Sequence, residues 1–254
     1  MHAVRRSHAS LRLAAAWGAM LFALGAAADE PQAHEVAAGF DAAPQSLYWY
    51  SESIAALNHD MAKDGLRLRV SGGLAVYQYA APDDSGGNID GQLWQFDFMP
   101  GYQIVRGAHS IGGYVGADLQ DSELDPDDPT NPVRGTAAGF KVAGNYDFGD
   151  DKRPFEASLV GEYSTAFETY YAELRVGARV IDKLFIGPAA EMDGQTGYES
   201  WRLGGYGRYE FELSGGATLD VGLAAGHQFV GGDGSAGPAG GAGTFGTLEI
   251  GTDF

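Results

Sequence analysis

The 254-residue chain contains no cysteine. This absence excludes disulfide bridges, thiolate catalysis and zinc–thiolate sites. Positive charge is also scarce, because 16 Lys and Arg residues stand against 34 Asp and Glu residues, a formal net charge of −18. Nucleic acid and anionic lipid headgroups are recognised by basic surfaces, so neither is an expected partner.

Motifs for common chemistries are missing as well. The sequence has no Gly-x-Ser-x-Gly, HExxH or phosphate-binding loop. The acidic run at 121–128 suggests a calcium site at first sight, but it lacks the glycine at the sixth position and the terminal glutamate of an EF-hand. We expect a solvated external loop there, and no catalytic residue, cofactor or metal in the chain. The acidic residues of this run are Asp121, Glu123, Asp125, Asp127 and Asp128.

The only long apolar run lies at the start of the chain. Arg5, Arg6 and Arg12 precede or flank the apolar segment 13–24, and three alanines occupy positions 26–28. A positive region, a short apolar region and small residues predict a secretory signal peptide over residues 1–28, with cleavage before Asp29. The apolar segment is too short for a transmembrane helix, which needs roughly 20 residues. We therefore expect an exported protein.

Strict alternation of apolar and polar residues dominates the chain from residue 66 onward. Leu66, Leu68 and Val70 alternate with Arg67 and Arg69. Period two of this kind predicts a strand with one apolar face and one polar face. The same pattern recurs in 92–105, 110–120, 135–148, 154–164, 170–181, 184–193, 200–213, 217–229 and 244–254, with the charges on the polar face.

Two weaker strand signals at 36–41 and 46–57 bring the count to twelve, with ten as the alternative. Short connections (106–109, 149–153, 182–183 and 214–216) alternate with longer ones (80–90, 121–134, 194–199 and 230–243). A soluble sandwich could show the same alternation within strands, but this alternation of loop lengths is typical of outer-membrane barrels. The prediction is an all-β, antiparallel up-and-down outer-membrane β-barrel over residues 29–254, with a flexible tail at 29–35.

Several segments resemble the cellulose biosynthesis protein BcsS family. They are DGLRLRVSGGLAVYQY at 64–79, DSELDPDDPTNPVRGTAAG at 121–139, STAFETYYAELRVG at 164–177 and DKLFIGP at 182–188. The resemblance covers about residues 40–251 and implies a component of the bacterial cellulose synthesis machinery, with cellulose or synthase components as partners. It implies no catalytic role. The family's Gly-Pro is often followed by glutamate, whereas Gly187-Pro188 here precedes two alanines and Glu191, so no role is carried onto that glutamate.

Inward-facing charges and tyrosines form the candidate site. One interpretation is a polar channel whose aromatic rings stack on sugar rings. The other is a lumen filled with mutually neutralising ion pairs, since a buried charge must be paired. The residues predicted as glycan contacts are Arg67, Arg69, Tyr77, Tyr114, Glu162, Tyr171, Glu173, Arg175, Arg202, Tyr206 and Arg208.

Three hypotheses for function remain at this point. The first is a non-catalytic outer-membrane barrel, in contact with membrane lipid, that assists cellulose synthesis, export or anchoring. The second is an envelope enzyme acting on lipid or glycan, with carboxylates such as Glu156 and Glu162 as catalysts. An outward His227 could serve such an enzyme only with a nucleophile in reach, and no serine follows it closely. The third is a small diffusion channel.

Overall fold

The computed structural model describes residues 32–81, 87–149, 153–213, 217–232 and 240–254, and these form twelve β-strands. The predicted signal peptide lies outside the described residues. Among those residues, no helix is long and apolar enough to cross a membrane. The strands are β1 (His34–Ala43), β2 (Ser46–Ala56), β3 (Gly65–Ala80), β4 (Asn88–Arg106), β5 (His109–Asp125), β6 (Gly135–Phe148), β7 (Phe155–Ser164), β8 (Tyr170–Ile181), β9 (Leu184–Gln195), β10 (Tyr198–Glu212), β11 (Thr218–Gly232) and β12 (Gly243–Asp253).

Each strand pairs antiparallel with its neighbours in sequence, and β1 pairs with β12 to close the barrel. The closing seam runs from Glu35 opposite Asp253 to Ala42 opposite Gly246. Closure matters because every backbone N–H and C=O must find a partner in a bilayer, which an open sheet edge cannot provide. The prediction of an up-and-down barrel with twelve strands is confirmed, and the alternative of ten is wrong.

The two faces of the strands follow the predicted alternation. In β3, Leu66 is 58% exposed on the outer surface, whereas the next residue, Arg67, is completely buried in the lumen. The outward aromatic residues predicted from the sequence, such as Trp94, Trp201 and Tyr209, are likewise exposed. A water-soluble domain would bury such side chains. This barrel has the opposite arrangement, with an apolar exterior and a charged interior.

Several boundaries differ from the sequence prediction. Strand β5 continues to Asp125, because residues 121–125 pair with residues 90–94 of β4. Asp121, Glu123 and Asp125 therefore lie on a strand and face outward near its end, which corrects the expectation that all strand charges face inward. The predicted flexible tail over 29–35 is wrong for its last three residues, and its first three lie outside the described residues. Ala33 and His34 already donate backbone hydrogen bonds to the carbonyl of Phe254, so β1 begins at His34.

The connections lie at two ends. The described chain ends, Gln32 and Phe254, lie at the turn end with the connections 57–64, 107–108 and 182–183 and those that join β6 to β7 and β10 to β11. The loop end has the connections 44–45, 126–134, 165–169 and 196–197 and those that join β3 to β4 and β11 to β12. The predicted contrast in length is only partly right. Residues 196–197 form a tight turn at the loop end, because β9 and β10 pair as far as Gln195 and Tyr198. Residues 57–64 form one of the longer connections at the turn end.

The high glycine content has a packing explanation on the lumen side. A Cβ atom at Gly39 would overlap the ring of Tyr50, and one at Gly73 would overlap Tyr48. Each tyrosine ring thus lies flat across a neighbouring strand at a residue that has no side chain. The same relation holds between Gly91 and Tyr77, Gly101 and Tyr114, and Gly194 and Tyr170. Tyr206 of β10 reaches farther, because its hydroxyl lies over Gly177 of β8, beyond the intervening β9.

Candidate lumen site

Arg69 joins opposite walls of the barrel. Its guanidinium contacts Glu52 of β2 and Glu162 of β7, and Glu162 also accepts a salt bridge from Lys141 of β6 at 2.8 Å. Lys141 contacts Asp97 of β4 at 2.8 Å. All five side chains are at least three-quarters buried. The contact between β3 and β7 crosses the lumen, so this cluster occupies space that a through channel would need.

A second cluster centres on Arg175 of β8. Its guanidinium bonds both carboxylate oxygens of Glu249 on β12, one of them at 2.9 Å, and contacts Glu173 at 2.7 Å. Tyr50 of β2 donates its hydroxyl to Glu249 at 2.5 Å. The guanidinium lies 5.6 Å from the ring centroid of Tyr206. Bidentate pairing of this kind holds the arginine in one geometry.

Arg202 of β10 lies at the centre of a third cluster. It binds both oxygens of Asp41 on β1, at 2.9 Å each, and reaches Glu191 at 3.1 Å. Its Nε donates to Gln228 at 2.6 Å. The guanidinium also covers the ring of Phe245, 4.9 Å from the centroid. Arg202 is only 5% exposed, so these groups neutralise one another away from bulk water.

Arg208 completes the set nearer the turn end. It contacts Glu156 of β7 at 2.5 Å and Asp220 of β11. Tyr206 donates its hydroxyl to the other oxygen of Glu156 at 2.9 Å. With a side chain that is 30% exposed, Arg208 is the most accessible of the four bridging arginines. The prediction that inward charges pair with one another therefore describes all four clusters.

The loop end is covered by residues 126–134. Val133 is 1% exposed and packs against Ala75, Tyr77 and Tyr79, in a cluster that also contains Ile89 and Leu93. Tyr79 holds the loop by its hydroxyl, which donates to Asp128 at 3.0 Å and accepts from Asn131 at 2.8 Å. Tyr77, predicted as a glycan contact, and its neighbour on the same face, Tyr79, thus support a loop.

The buried Asp128 shapes the same loop. Its Oδ1 accepts from the hydroxyl of Thr130 at 2.7 Å and from the Thr130 backbone N–H at 2.9 Å. The hydroxyl bond of Thr130, followed by the backbone bond, lowers the pKa of Asp128 against the opposing effect of burial. Asp128 was predicted to be part of a solvated loop. The prediction is wrong for this residue, because the loop folds back over the barrel.

Residues 57–64 cover part of the turn end. Arg67 donates to the backbone carbonyl of Lys63 at 2.6 Å, to Asn58 at 3.1 Å and to Gln103 at 2.7 Å. Met61 packs against a buried cluster of Ile54, Met99 and Tyr114. Arg67 and Tyr114, predicted as glycan contacts, are thus occupied in holding this connection in place.

The predicted carboxylate pair lies in two different clusters. Glu156 contacts Arg208 and Tyr206, whereas Glu162 contacts Arg69 and Lys141. Six residues of extended strand separate them, roughly 20 Å, which is far more than the 5–9 Å of paired glycosidase carboxylates. His227 is exposed on the outer face as predicted, and its ring contacts Phe229.

The sequence analysis identified the arginine of each lumen cluster but missed several of the residues that pair with it. Asp41, Tyr50 and Glu52 were missed because the alternation is weak before residue 66, and Glu249 was placed on the inner face without a role. A stricter reading of period two in 46–56 would have placed Tyr48, Tyr50 and Glu52 on one face. The partners of Glu52, Asp41 and Tyr50 lie on β3, β10 and β12, and they follow from no local pattern.

A closed antiparallel barrel with an apolar exterior and an ion-paired lumen defines a β-barrel of the outer-membrane type. The family model described as cellulose biosynthesis protein BcsS matches residues 36–254. The chain therefore belongs to the BcsS family, and the resemblance seen in its sequence is confirmed.

Comparison with curated proteins gives no match. Among solved structures, the chain is similar to a KdgM porin in complex with disordered oligogalacturonate, at 10% identity over 87% of this chain and 98% of that one, with a TM-score of 0.40. It is also similar to Omp33 of Acinetobacter baumannii, at 11% identity over 90% and 99%, with a TM-score of 0.35. The barrel class rests on the strand order and exposed faces described above, not on these likenesses.

Proposed function

We propose that this BcsS-family chain is an outer-membrane barrel that assists cellulose synthesis, export or surface anchoring without catalysing a reaction. Family membership supports the pathway. The observation that carries the membrane location is the apolar exterior around a closed barrel, because exposed Leu, Val and Phe side chains gain stability in hydrocarbon and lose it in water. The loop end would face the outside, as longer loops do in this class.

The ion-paired lumen supports a structural or docking role more than free diffusion. Arg69, Arg175 and Arg202 each connect strands that are three or four positions apart around the barrel. A diffusing solute would have to break such pairs, each of which costs several kcal/mol to separate when buried. Low conductance in planar bilayers is therefore expected, and steady single-channel conductance would favour a diffusion channel.

Among the residues predicted as glycan contacts, we propose that the partly exposed ones retain that role. Glu173, Arg175 and Arg208 keep 12%, 18% and 30% of their side-chain surface accessible. Tyr171 lies with Glu173 and Arg175 on β8, and Tyr206 lies with Arg208 on β10. Carboxylate, guanidinium and phenol groups all bond sugar hydroxyls, and aromatic rings stack on the apolar face of glucose. Binding of soluble cello-oligosaccharides to purified barrel tests this role.

A gene deletion complemented with variants tests the main proposal. Wild-type protein should appear in the outer-membrane fraction, show heat-modifiable gel migration and restore cellulose output. Glu156→Gln and Glu162→Gln should restore output whenever they fold, because neither carboxylate acts as a catalyst. Loss of cellulose with normal heat-modifiable folding would revive the enzyme hypothesis, and a wholly periplasmic protein would defeat the membrane location.

A further inference from the structure

Two acidic residues face each other inside the wall formed by β4 and β5. Asp97 lies directly opposite Asp118 in the strand register, and both side chains point inward. Asp97 is fully buried and Asp118 is 3% exposed. Directly opposite residues on an antiparallel pair have Cβ atoms about 4.5–5.5 Å apart, so the two carboxylates are close neighbours.

One oxygen of each carboxylate is bonded and the other is not. Oδ2 of Asp97 accepts from Ser71 at 2.6 Å and from Lys141 at 2.8 Å. Oδ2 of Asp118 accepts from Ser164 at 2.5 Å and from Gln120 at 2.7 Å. Among the residues that the structure describes, Oδ1 of Asp97, Oδ1 of Asp118 and Oε1 of Gln120 have no hydrogen-bond partner. Gln120 is 1% exposed, and its amide nitrogen donates to Asp118 and to Thr169, so the amide must turn over by 180° to present its oxygen to the two carboxylates.

Three buried acceptors without a donor destabilise the folded protein, because each loses its hydrogen bonds to water and gains none in exchange. The formal charge adds to the imbalance. Asp97, Glu52 and Glu162 carry three negative charges against the two positive charges of Arg69 and Lys141. Asp118, opposite Asp97 in the register, adds a fourth and leaves a formal charge of −2. A ligand that accepts electron pairs and carries two positive charges would satisfy both the orphaned oxygens and the charge.

We propose that Asp97, Asp118 and the amide oxygen of Gln120 form a buried site for a hard divalent cation, with Ca²⁺ as the best fit. Carboxylate and amide oxygens are the ligands that Ca²⁺ takes, and it tolerates irregular geometry and completes its shell with water. The donor set contains oxygen only, which disfavours zinc and copper. Within the described residues no three His, Cys, Asp or Glu side chains come together as metal ligands, so the two carboxylates would need the amide oxygen of Gln120 and water to complete the shell.

A bound cation would cross-link neighbouring elements of the barrel wall. It would join β4 to β5 and, through Ser164 and Thr169, to the connection that follows β7, because Gln120 donates to Thr169 at 2.9 Å. This inference does not depend on a role in cellulose synthesis. Its competitor is a single proton shared by the two carboxylates, which would satisfy two of the three oxygens and halve the excess charge.

Isothermal titration of CaCl₂ into chelator-treated, full-length barrel in zwitterionic detergent tests the site, with thermal unfolding measured alongside. We expect one saturable calcium site and a higher unfolding temperature with calcium than with EDTA. Asp118→Asn and Asp97→Asn should lose this binding. Glu123→Gln is the matched control, because Glu123 is an exposed acid on the same strand that faces outward, and this variant should bind as wild type does.

The wild-type titration decides the question even where a variant fails to fold. An absence of saturable calcium binding, together with an unfolding temperature that is the same in calcium and EDTA, overturns the proposal. An Asp118→Asn variant that is more stable than wild type and equally indifferent to calcium would assign the pair a shared proton instead, since the new amide can donate to Asp97. Loss of binding in Glu123→Gln would also count against the site.

Discussion

Replacing Arg202 with Met tests whether the barrel depends on the arginine at the centre of a lumen cluster for its stability. Methionine keeps most of the side-chain volume and its contact with Phe245, but it removes the guanidinium that neutralises Asp41 and Glu191. Two carboxylates, of which Asp41 is 7% exposed, would then remain buried without a cation. Breaking a buried pair by removing one partner typically costs about 3–5 kcal/mol, so we expect a loss of that size in the free energy of unfolding.

Urea unfolding of the barrel in lipid vesicles, followed by tryptophan fluorescence, measures this loss. The double variant Arg202→Met with Asp41→Asn should recover part of the stability, because one of the two stranded charges is removed with the cation. Arg134→Gln is the control, since Arg134 and Asp127 form an exposed pair at 3.4 Å that contributes at most about 1 kcal/mol. If Arg202→Met were as stable as wild type, the idea that Arg202 stabilises the barrel by pairing with Asp41 and Glu191 would be refuted.

Leu223→Arg should cost about 2–4 kcal/mol in vesicles, because Leu223 is 62% exposed on the face assigned to lipid; a negligible cost in urea unfolding would place that face in water. Tyr79→Phe removes the hydroxyl that joins Asp128 and Asn131, at a cost of about 1–3 kcal/mol, and faster proteolysis within 126–134 should report it, whereas unchanged rates would show the loop to be held elsewhere. The pKa of Asp128 is lowered on folding, so its contribution to loop docking is complete above the ordinary aspartate pKa and lost as the pH falls through the lowered one. Proteolysis of the loop should accelerate only in acid, and Asp128→Asn should abolish that dependence. Gly39→Ala should destabilise the barrel by about 1–3 kcal/mol by displacing Tyr50, whereas Gly113→Ala, where nothing lies within 4 Å of the new methyl group, should unfold like wild type.

The barrel and its two faces could be predicted because strand alternation is a local property. Leu66 and Arg67 point to opposite sides of the sheet whatever the rest of the chain does, since successive side chains in a strand alternate by geometry. The prediction of strand faces is weakest in β1 and β2, where the alternation itself is weak. Strand boundaries are also hard to predict, because pairing with a neighbouring strand decides where a strand ends. Strand β5 reaches Asp125 because β4 offers Asp90 as a partner, and no local signal in the acidic run shows this.

The lumen clusters could be predicted only as a general balance of charge. The contacts of Arg69 with Glu162 and of Arg202 with Asp41 join residues that are 93 and 161 positions apart. No periodicity relates such distant positions. Their meeting depends on the strand register and on closure of the barrel, which bring β3 opposite β7 and β10 within reach of β1.

The amino-acid sequence alone determined which side chains face outward and which face inward, because that choice follows from the geometry of an extended chain and from where apolar surface is stable. Tertiary structure alone decided which inward charges meet, that residues 126–134 fold over the loop end, and that Asp97 and Asp118 share one patch of wall. Those outcomes depend on the closed circle of twelve strands, since a side chain can reach across the lumen only after β1 has paired with β12.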